Sequence, residues 1–262
     1  MEYLPYNRFQ SNVYSQNGED GILQVILDQL GILSNEQKWC VEFGSWDGKH
    51  LSNTFNLVES HGFAAVYIEG DADRYEDLKI TAKENQLIHP VLAFVEWQSS
   101  SQNTLDKLLK QSPLPENFDV LSIDIDSYDL DVWDSLENYF PKVVVIEINS
   151  SIPPGIVWRH GPSTPGNTFT ATINVAKVKG YTLVCHTGNL IFVRDDFAKN
   201  LMIEAKFRIF PELLFLHHSD WKPKGGFGTG PNLFAKARHL ILVFFGAWKK
   251  LARVSFRARK RP

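Results

Sequence analysis

Five short runs rich in Val, Ile and aromatic residues recur along the chain, with helix-like segments between them. They read KWCVEFG, AAVYIEGD, HPVLAFVEW, DVLSIDID and KVVVIEIN. Their apolar character is nearly continuous rather than alternating, which marks strands buried on both faces of a parallel sheet. SQNGEDGILQVILDQLGI places Ile22, Leu23, Ile26, Leu27 and Leu30 at helical spacing, with Gly31 as its stop. HLSNTFNLVESHG reads as a helix ending at Gly62, and ADRYEDLKITAKENQ, TLDKLLKQS and YDLDVWDSLENY read as further helices. A long loop, SSIPPGIVWRHGPSTPGNT, precedes the helix FTATINVAKVKG. YTLVCHTG and NLIFVRDDF then form two strands joined by a tight Gly-Asn turn, an antiparallel hairpin. Alternating strands and helices joined by right-handed crossovers give an α/β fold. The expected architecture is a doubly wound, Rossmann-like, seven-stranded and mostly parallel sheet with a C-terminal antiparallel hairpin.

A chain of 262 residues suits one such domain with appendages. The expected division is a domain over 1–196, an irregular Gly/Pro-rich stretch over 197–235 that can serve as a lid, and a basic amphipathic tail over 236–262. The net charge of −3 hides an asymmetry, because the chain has nine Lys and Arg residues from Lys236 to Arg261 and no Asp or Glu after Asp220. The acidic body argues against a nucleic-acid binder. The tail, with its HLILVFFGAW centre, is expected either to lie on an anionic membrane surface or to pack back on the body as a final helix. Cys40 and Cys185 sit in apolar runs and are expected to be buried thiols rather than a disulfide. The N-terminus has neither the basic nor the apolar region of a signal peptide, and no apolar run reaches spanning length. The expected location is cytoplasmic, with the tail at the inner membrane surface in the first of those alternatives.

Chemistry-bearing residues gather at the strand ends. After the first strand, VEFGSWDGKH holds Glu42, Gly44 and Gly48. Gly44 permits a tight turn, and Gly48 is expected to let backbone approach a ligand and to open the next helix. The spacing is not the G-x-G-x-x-G of dinucleotide binders, and a turn without a ligand is the competing reading. Glu69 ends the second strand where a ribose finds a carboxylate, with Asp71 as its understudy. The fourth run continues as LSIDIDSYDLDVW. Asp124 and Asp126 fall at the crevice between the first and fourth strands, where the strand order reverses. Asp129, Asp131 and Asp134 are expected to be solvated acids in the first turns of a helix. Glu147 and Asn149 end the fifth strand, so Asp124, Asp126, Glu147 and Asn149 form a set of hard oxygen ligands suited to Mg²⁺ or Mn²⁺ and equally to a metal-free polar pocket.

Together these residues resemble the FkbM-type family of class I S-adenosylmethionine-dependent methyltransferases. The resemblance rests on VEFGSWDG, VYIEGD, SIDIDSYD, VVVIEIN and the terminal hairpin, with SQNGED before the first strand, and covers residues 15–196. Asp126-Ser127 stands where that family usually has Glu-Gly. The resemblance implies that Glu42, Gly44, Trp46 and Gly48 hold the methionine end of S-adenosylmethionine. It further implies Glu69 on the ribose, Glu96 near the adenine and Asp124 at the floor. It also implies a small-molecule or glycan acceptor, methylated at a sugar hydroxyl. A hydroxyl must lose its proton, and His160 in the long loop is the first candidate base, with Asp126 and Glu147 as rivals acting directly or through a metal. Trp46, Trp158 and Trp221 are candidate stacking faces, and His217, His218 and Asp220 candidate lid residues. Two alternatives stand beside this reading: a metal-dependent glycosyltransferase using the DID motif, and a non-catalytic binding protein on the same fold.

Overall fold

A computed structural model describes residues 5–162 and 164–218. Expectations that fall on residues 219–262, among them Asp220, Trp221 and the basic tail, lie outside the described residues. Among the described residues, no helix is long and apolar enough to cross a membrane.

Helix α1 (Glu19–Gln29) leads into β1 (Trp39–Phe43), α2 (Phe55–His61), β2 (Ala64–Glu69), α3 (Ala72–Glu84), β3 (Ile88–Leu92), α4 (Leu105–Leu109) and β4 (Val120–Ile123). Then follow α5 (Asp129–Ser135), β5 (Val143–Glu147), α6 (Phe169–Lys179), β6 (Tyr181–His186), β7 (Asn189–Arg194), α7 (Asp195–Ala198) and α8 (Ala205–Ile209). The sheet has the expected seven strands, ordered β3-β2-β1-β4-β5-β7-β6. The first five strands run parallel, while β7 is antiparallel to both β5 and β6.

The two-residue period of a strand sorts side chains between the helix layers. Val41, Phe43, Leu121, Ile123, Val144, Ile146 and Phe192 face one way, against Leu105, Leu109, Trp133, Phe169 and Ile173 of α4, α5 and α6. Cys40, Tyr67, Val120, Val143, Val145, Ile191 and Val193 face the other way, against Ile22, Leu23, Ile26, Leu27, Leu57 and Leu78 of α1, α2 and α3. Both cysteines are free and buried, as expected.

The structure corrects three local expectations. Helix α2 begins at Phe55 and not at His50, because Ser52, Asn53 and Thr54 are tied to the Glu42 carboxylate in a non-helical turn. Gly48 therefore does not open a helix. The stretch expected to be irregular after 197 contains α8 and a 3₁₀ turn over Pro211–Leu214, and it buries Phe207 and Leu214 in the main core. Leu216 N–H donates to His186 Nδ1 at 2.8 Å, and His218 N–H to the Ser150 carbonyl at 3.3 Å. This segment is thus packed onto β6 and the loop after β5.

Candidate functional site at the carboxyl edge of the sheet

The order reverses between β1 and β4, so their following loops diverge and leave a crevice at the carboxyl edge. Gly44 adopts φ +76°, and a Cβ there would lie 1.9 Å from the Asp124 carbonyl oxygen. The two loops meet backbone to backbone, and only glycine fits that approach. At Gly48, φ +81°, a Cβ would lie 2.8 Å from Leu78 and 3.2 Å from Tyr67. A side chain there would press on α3 and β2. Three non-glycine residues have positive φ among the described residues: Trp46, Leu51 and Asp126. All three lie in the loops after β1 and β4, so backbone strain concentrates where the loops converge.

Glu42 and Glu69 support this geometry from beneath. Glu42 is 4% exposed. Its carboxylate accepts from Ser52 Oγ at 2.5 Å, Thr54 Oγ1 at 2.6 Å and Asn53 N–H at 3.0 Å. Burial raises its pKa, and these donors oppose the rise. Buried Glu69 accepts from Trp46 N–H at 2.7 Å and from Asp71 N–H at 2.8 Å, joining the β1 and β2 loops. Trp46 itself is exposed, with the Arg74 guanidinium 4.0 Å from its ring centroid. Glu96 is exposed on the loop after β3, bonded to Ser101 Oγ.

At the floor, Asp124, Asp126 and Glu147 can each place an oxygen within 4.8 Å of the other two. Asp124 and Glu147 are half-buried and Asp126 is exposed. Burial pushes the Asp124 carboxyl well above the usual carboxylate range, and the charges of Glu147, Asp129 and Asp126 push it further. Asn149, the fourth expected oxygen ligand, is bonded to the loop after β5. Its Oδ1 accepts from Ser151 N–H and Oγ, and its Nδ2 donates to the Pro165 carbonyl. It fastens the long loop after β5.

Of the aspartates after the turn, Asp129 and Asp131 stand in the first turn of α5 and Asp134 is exposed, as expected, but Asp129 departs from the expected solvation. Asp129 is 2% exposed rather than solvated. It accepts from Ile125 N–H at 2.8 Å and Ser127 N–H at 2.9 Å, which shapes the turn carrying Asp126. Burial raises its pKa to about 6 in spite of these donors. Asp131 and Asp134 share Arg159, at 2.8 and 2.7 Å, and so hold the long loop against α5. Their i,i+3 spacing was the sequence signal for a shared cation.

His160, on that loop, accepts the Gly166 N–H at Nδ1, 3.1 Å away. In the neutral ring this assigns the proton to Nε2. His160 thus presents a donor, and burial lowers its pKa. His160 lies 4.7 Å from the Tyr128 ring, and Tyr128 lies 6.1 Å from Trp97, measured between centroids. The sequence reading missed Trp97, Tyr128 and Phe94, which is 71% exposed on the loop after β3. Isolated aromatics in loops carry no periodic signal. Trp158 is half-buried with no partner for its indole N–H among the described residues. Two cavities lie elsewhere, one between α6 and α8 beside Phe207 and one at the amino edge beside Trp39.

Fold and site define a doubly wound α/β protein with an acidic, glycine-gated crevice at its switch point. No family model and no curated protein matches the chain. Among solved structures it is similar to the N-terminal domain of EvdMO1 crystallised with S-adenosyl-homocysteine and D-fucose, at 9% identity over 67% of this chain and 82% of that chain, TM-score 0.43. It is similar to the citrinin polyketide synthase CMeT domain, at 10% identity over 70% and 55%, TM-score 0.46. It is also similar to M. capricolum TrmK in complex with S-adenosyl-homocysteine, at 13% identity over 65% and 67%, TM-score 0.41. Likeness at this level assigns neither a reaction nor a substrate to this chain.

Proposed function

We propose that this protein is an S-adenosylmethionine-dependent methyltransferase acting on a hydroxyl of a sugar, on a glycan or natural product. The observation that carries the reading is the backbone contact of Gly44 with Asp124 at the switch point, with Glu69 beneath the same loop. A glycine-limited crevice walled by carboxylates fits a cofactor that bears a sulfonium, an ammonium and a ribose diol. Bound there, the cofactor supplies an electrophilic methyl group. The loop from Gly44 to Trp46 and Asp124 would hold its methionine end, and Glu69 its ribose hydroxyls. Phe94 offers an exposed ring for the adenine alongside Glu96.

Asp126 and Glu147 are the groups suited to take the proton of an acceptor hydroxyl. His160, with its proton on Nε2, suits orientation of the acceptor oxygen instead. Asp124, Asp126 and Glu147 also support a second reading, in which Mg²⁺ or Mn²⁺ sits among them and a nucleotide-sugar is the donor.

Calorimetric titration separates the two readings. The expected outcome is saturable binding of S-adenosylhomocysteine, independent of Mn²⁺, with no binding of UDP-sugars. Mn²⁺-dependent binding of a UDP-sugar without S-adenosylhomocysteine binding would overturn the methyltransferase reading.

A further inference from the structure

The segment before α1 takes a path set by one buried carboxylate. Asp20 is 2% exposed. Its Oδ2 accepts from the N–H groups of Val13, Tyr14 and Ser15 and from Ser15 Oγ, each at 2.8 Å. Asn12 closes the segment into a loop, its Oδ1 accepting from Gly18 N–H and its Nδ2 donating to the Gln16 carbonyl. Apolar burial contributes little here, because Val13 is 60% exposed and Gln16 is exposed. Four donors on one oxygen offset the cost of burying the acid, and they leave residues 13–15 a single course.

Contacts at both ends place this strap at the carboxyl edge of the sheet. On one side, a Cβ on Gly188 would lie 2.3 Å from Asn17 Nδ2, so Asn17 rests on the turn between β6 and β7. Glu19 accepts from Thr187 Oγ1 at 2.5 Å and from Asn189 Nδ2 at 3.2 Å in the same turn. Asn189 is the register partner of Glu147 at the end of β5. On the other side, the Tyr14 ring meets Phe55 edge-on, 4.7 Å between centroids, and its hydroxyl donates to Glu59. Phe55 N–H donates to Ser52 Oγ at 2.9 Å, and Ser52 Oγ donates at 2.5 Å to Glu42 near the end of β1. The sheet order β1-β4-β5-β7 therefore leaves the ends of β4 and β5, which carry Asp124 and Glu147, between the two anchors. At the usual strand spacing β1 and β7 are about 14 Å apart. The three steps from Tyr14 to Asn17 reach at most about 11 Å, and the two side chains make up the rest. Tyr14 packs with Phe55 in the layer of α1, α2 and α3, which puts the strap on that face of the crevice.

We propose that residues 12–18 wall the crevice on its α1 face, against the methionine end of S-adenosylmethionine, and that Asp20 is the positioning residue that fixes this wall. The ligand's identity rests on the methyltransferase reading. A wall that touches a bound ligand must yield before the ligand leaves, so its loss shows in dissociation more than in association.

The test measures S-adenosylhomocysteine binding kinetics on the immobilised full chain. Asp20→Ala is expected to quicken dissociation about tenfold and to change association less than about threefold. Tyr14→Leu loosens only the Phe55 end and is expected to quicken dissociation about threefold; it serves in place of Asp20→Ala should that variant not fold. Hydrogen exchange on the parent gives a readout without any substitution. Saturating S-adenosylhomocysteine is expected to slow the Val13, Tyr14 and Ser15 amides about fivefold, and to leave the Gly31 amide, beyond the far end of α1, within about twofold. A purely structural strap would lower stability in the variants and move neither readout. Dissociation within about twofold of the parent in a folded variant overturns the wall, and so does exchange at Val13–Ser15 that the ligand leaves unaltered. In both of those cases the parent binds S-adenosylhomocysteine and the methyltransferase reading stands. A parent that does not bind it at all overturns the reading and the wall together.

Discussion

Replacing Gly44 by alanine would place a methyl carbon 1.9 Å from the Asp124 carbonyl, on a residue at φ +76°. Strain in the left-handed region alone costs about 1–2 kcal/mol, and the clash is with backbone that cannot rotate away. Gly44→Ala should therefore lose at least about 3 kcal/mol in urea unfolding and lose S-adenosylhomocysteine binding. A loss under about 1 kcal/mol would mean that the two loops separate freely. Asp129 gives a second prediction, and its sign is unusual for a carboxylate. Its folded pKa of about 6 lies above the ordinary 3.8, so between those values the fold retains a proton that the unfolded chain has released. Stability falls as pH rises through that window, by roughly 3 kcal/mol at completion. Asp129→Asn cannot ionise. Its deficit relative to the parent should shrink by about 2 kcal/mol between pH 4.5 and pH 7.5, the rest of the change falling below pH 4.5. A deficit constant with pH would refute the buried carboxyl.

Among the elements, the long loop after β5 depends on a few polar fastenings: Asn149 to Pro165, Gly155 N–H to Thr170, and Arg159 to Asp131 and Asp134. The Arg159 pairs are partly exposed, so Arg159→Ala should cost less than about 1 kcal/mol of global stability. Local opening should show much more clearly. Hydrogen exchange at Gly161 and Thr164, which bond each other's carbonyls, should quicken about tenfold while β5 is unchanged. Unchanged exchange at both amides would show that the clamp is dispensable. The strands and most helices were legible in the sequence because their signal is local, in composition and period. The start of α2 was not, because its determinant is Glu42, ten residues or more upstream on another element. Asp129 misled for the same kind of reason. An acid in a first helical turn is ordinarily solvated, and only the reversal of chain at Asp126 folds it under its own turn. Asp124, Asp126 and Glu147 were legible as a group because strand order alone brings β4 and β5 side by side. The ring contacts of Tyr128 with Trp97 and His160 depend on three loop paths that no periodicity encodes.

For the whole molecule, acid stability is set by groups of opposite sign. His186 is fully buried, with Nδ1 accepting from Leu216 N–H and Ser150 Oγ at 3.0 Å from Nε2. Burial lowers its pKa to about 3. The unfolded chain takes up a proton below the ordinary 6.5 that the fold refuses, so stability falls as pH drops from about 6.5 towards about 3, by roughly 4–5 kcal/mol in all. Asp129 acts against this trend over part of the range. His186→Gln should reduce the proton uptake on unfolding by about one between pH 4 and pH 6, read from the pH dependence of urea midpoints. An unaltered uptake would place the acid lability elsewhere. One further consequence follows from the sheet order. Strand β7 lies between β5 and β6, although it is the last of the seven to be made. During synthesis β5 therefore waits, with one hydrogen-bonding edge bare, until residues 189–194 emerge and insert. For that interval the nascent chain presents Val143–Glu147 as an open, strongly apolar edge, the kind of surface that chaperones bind and that pairs with neighbouring chains.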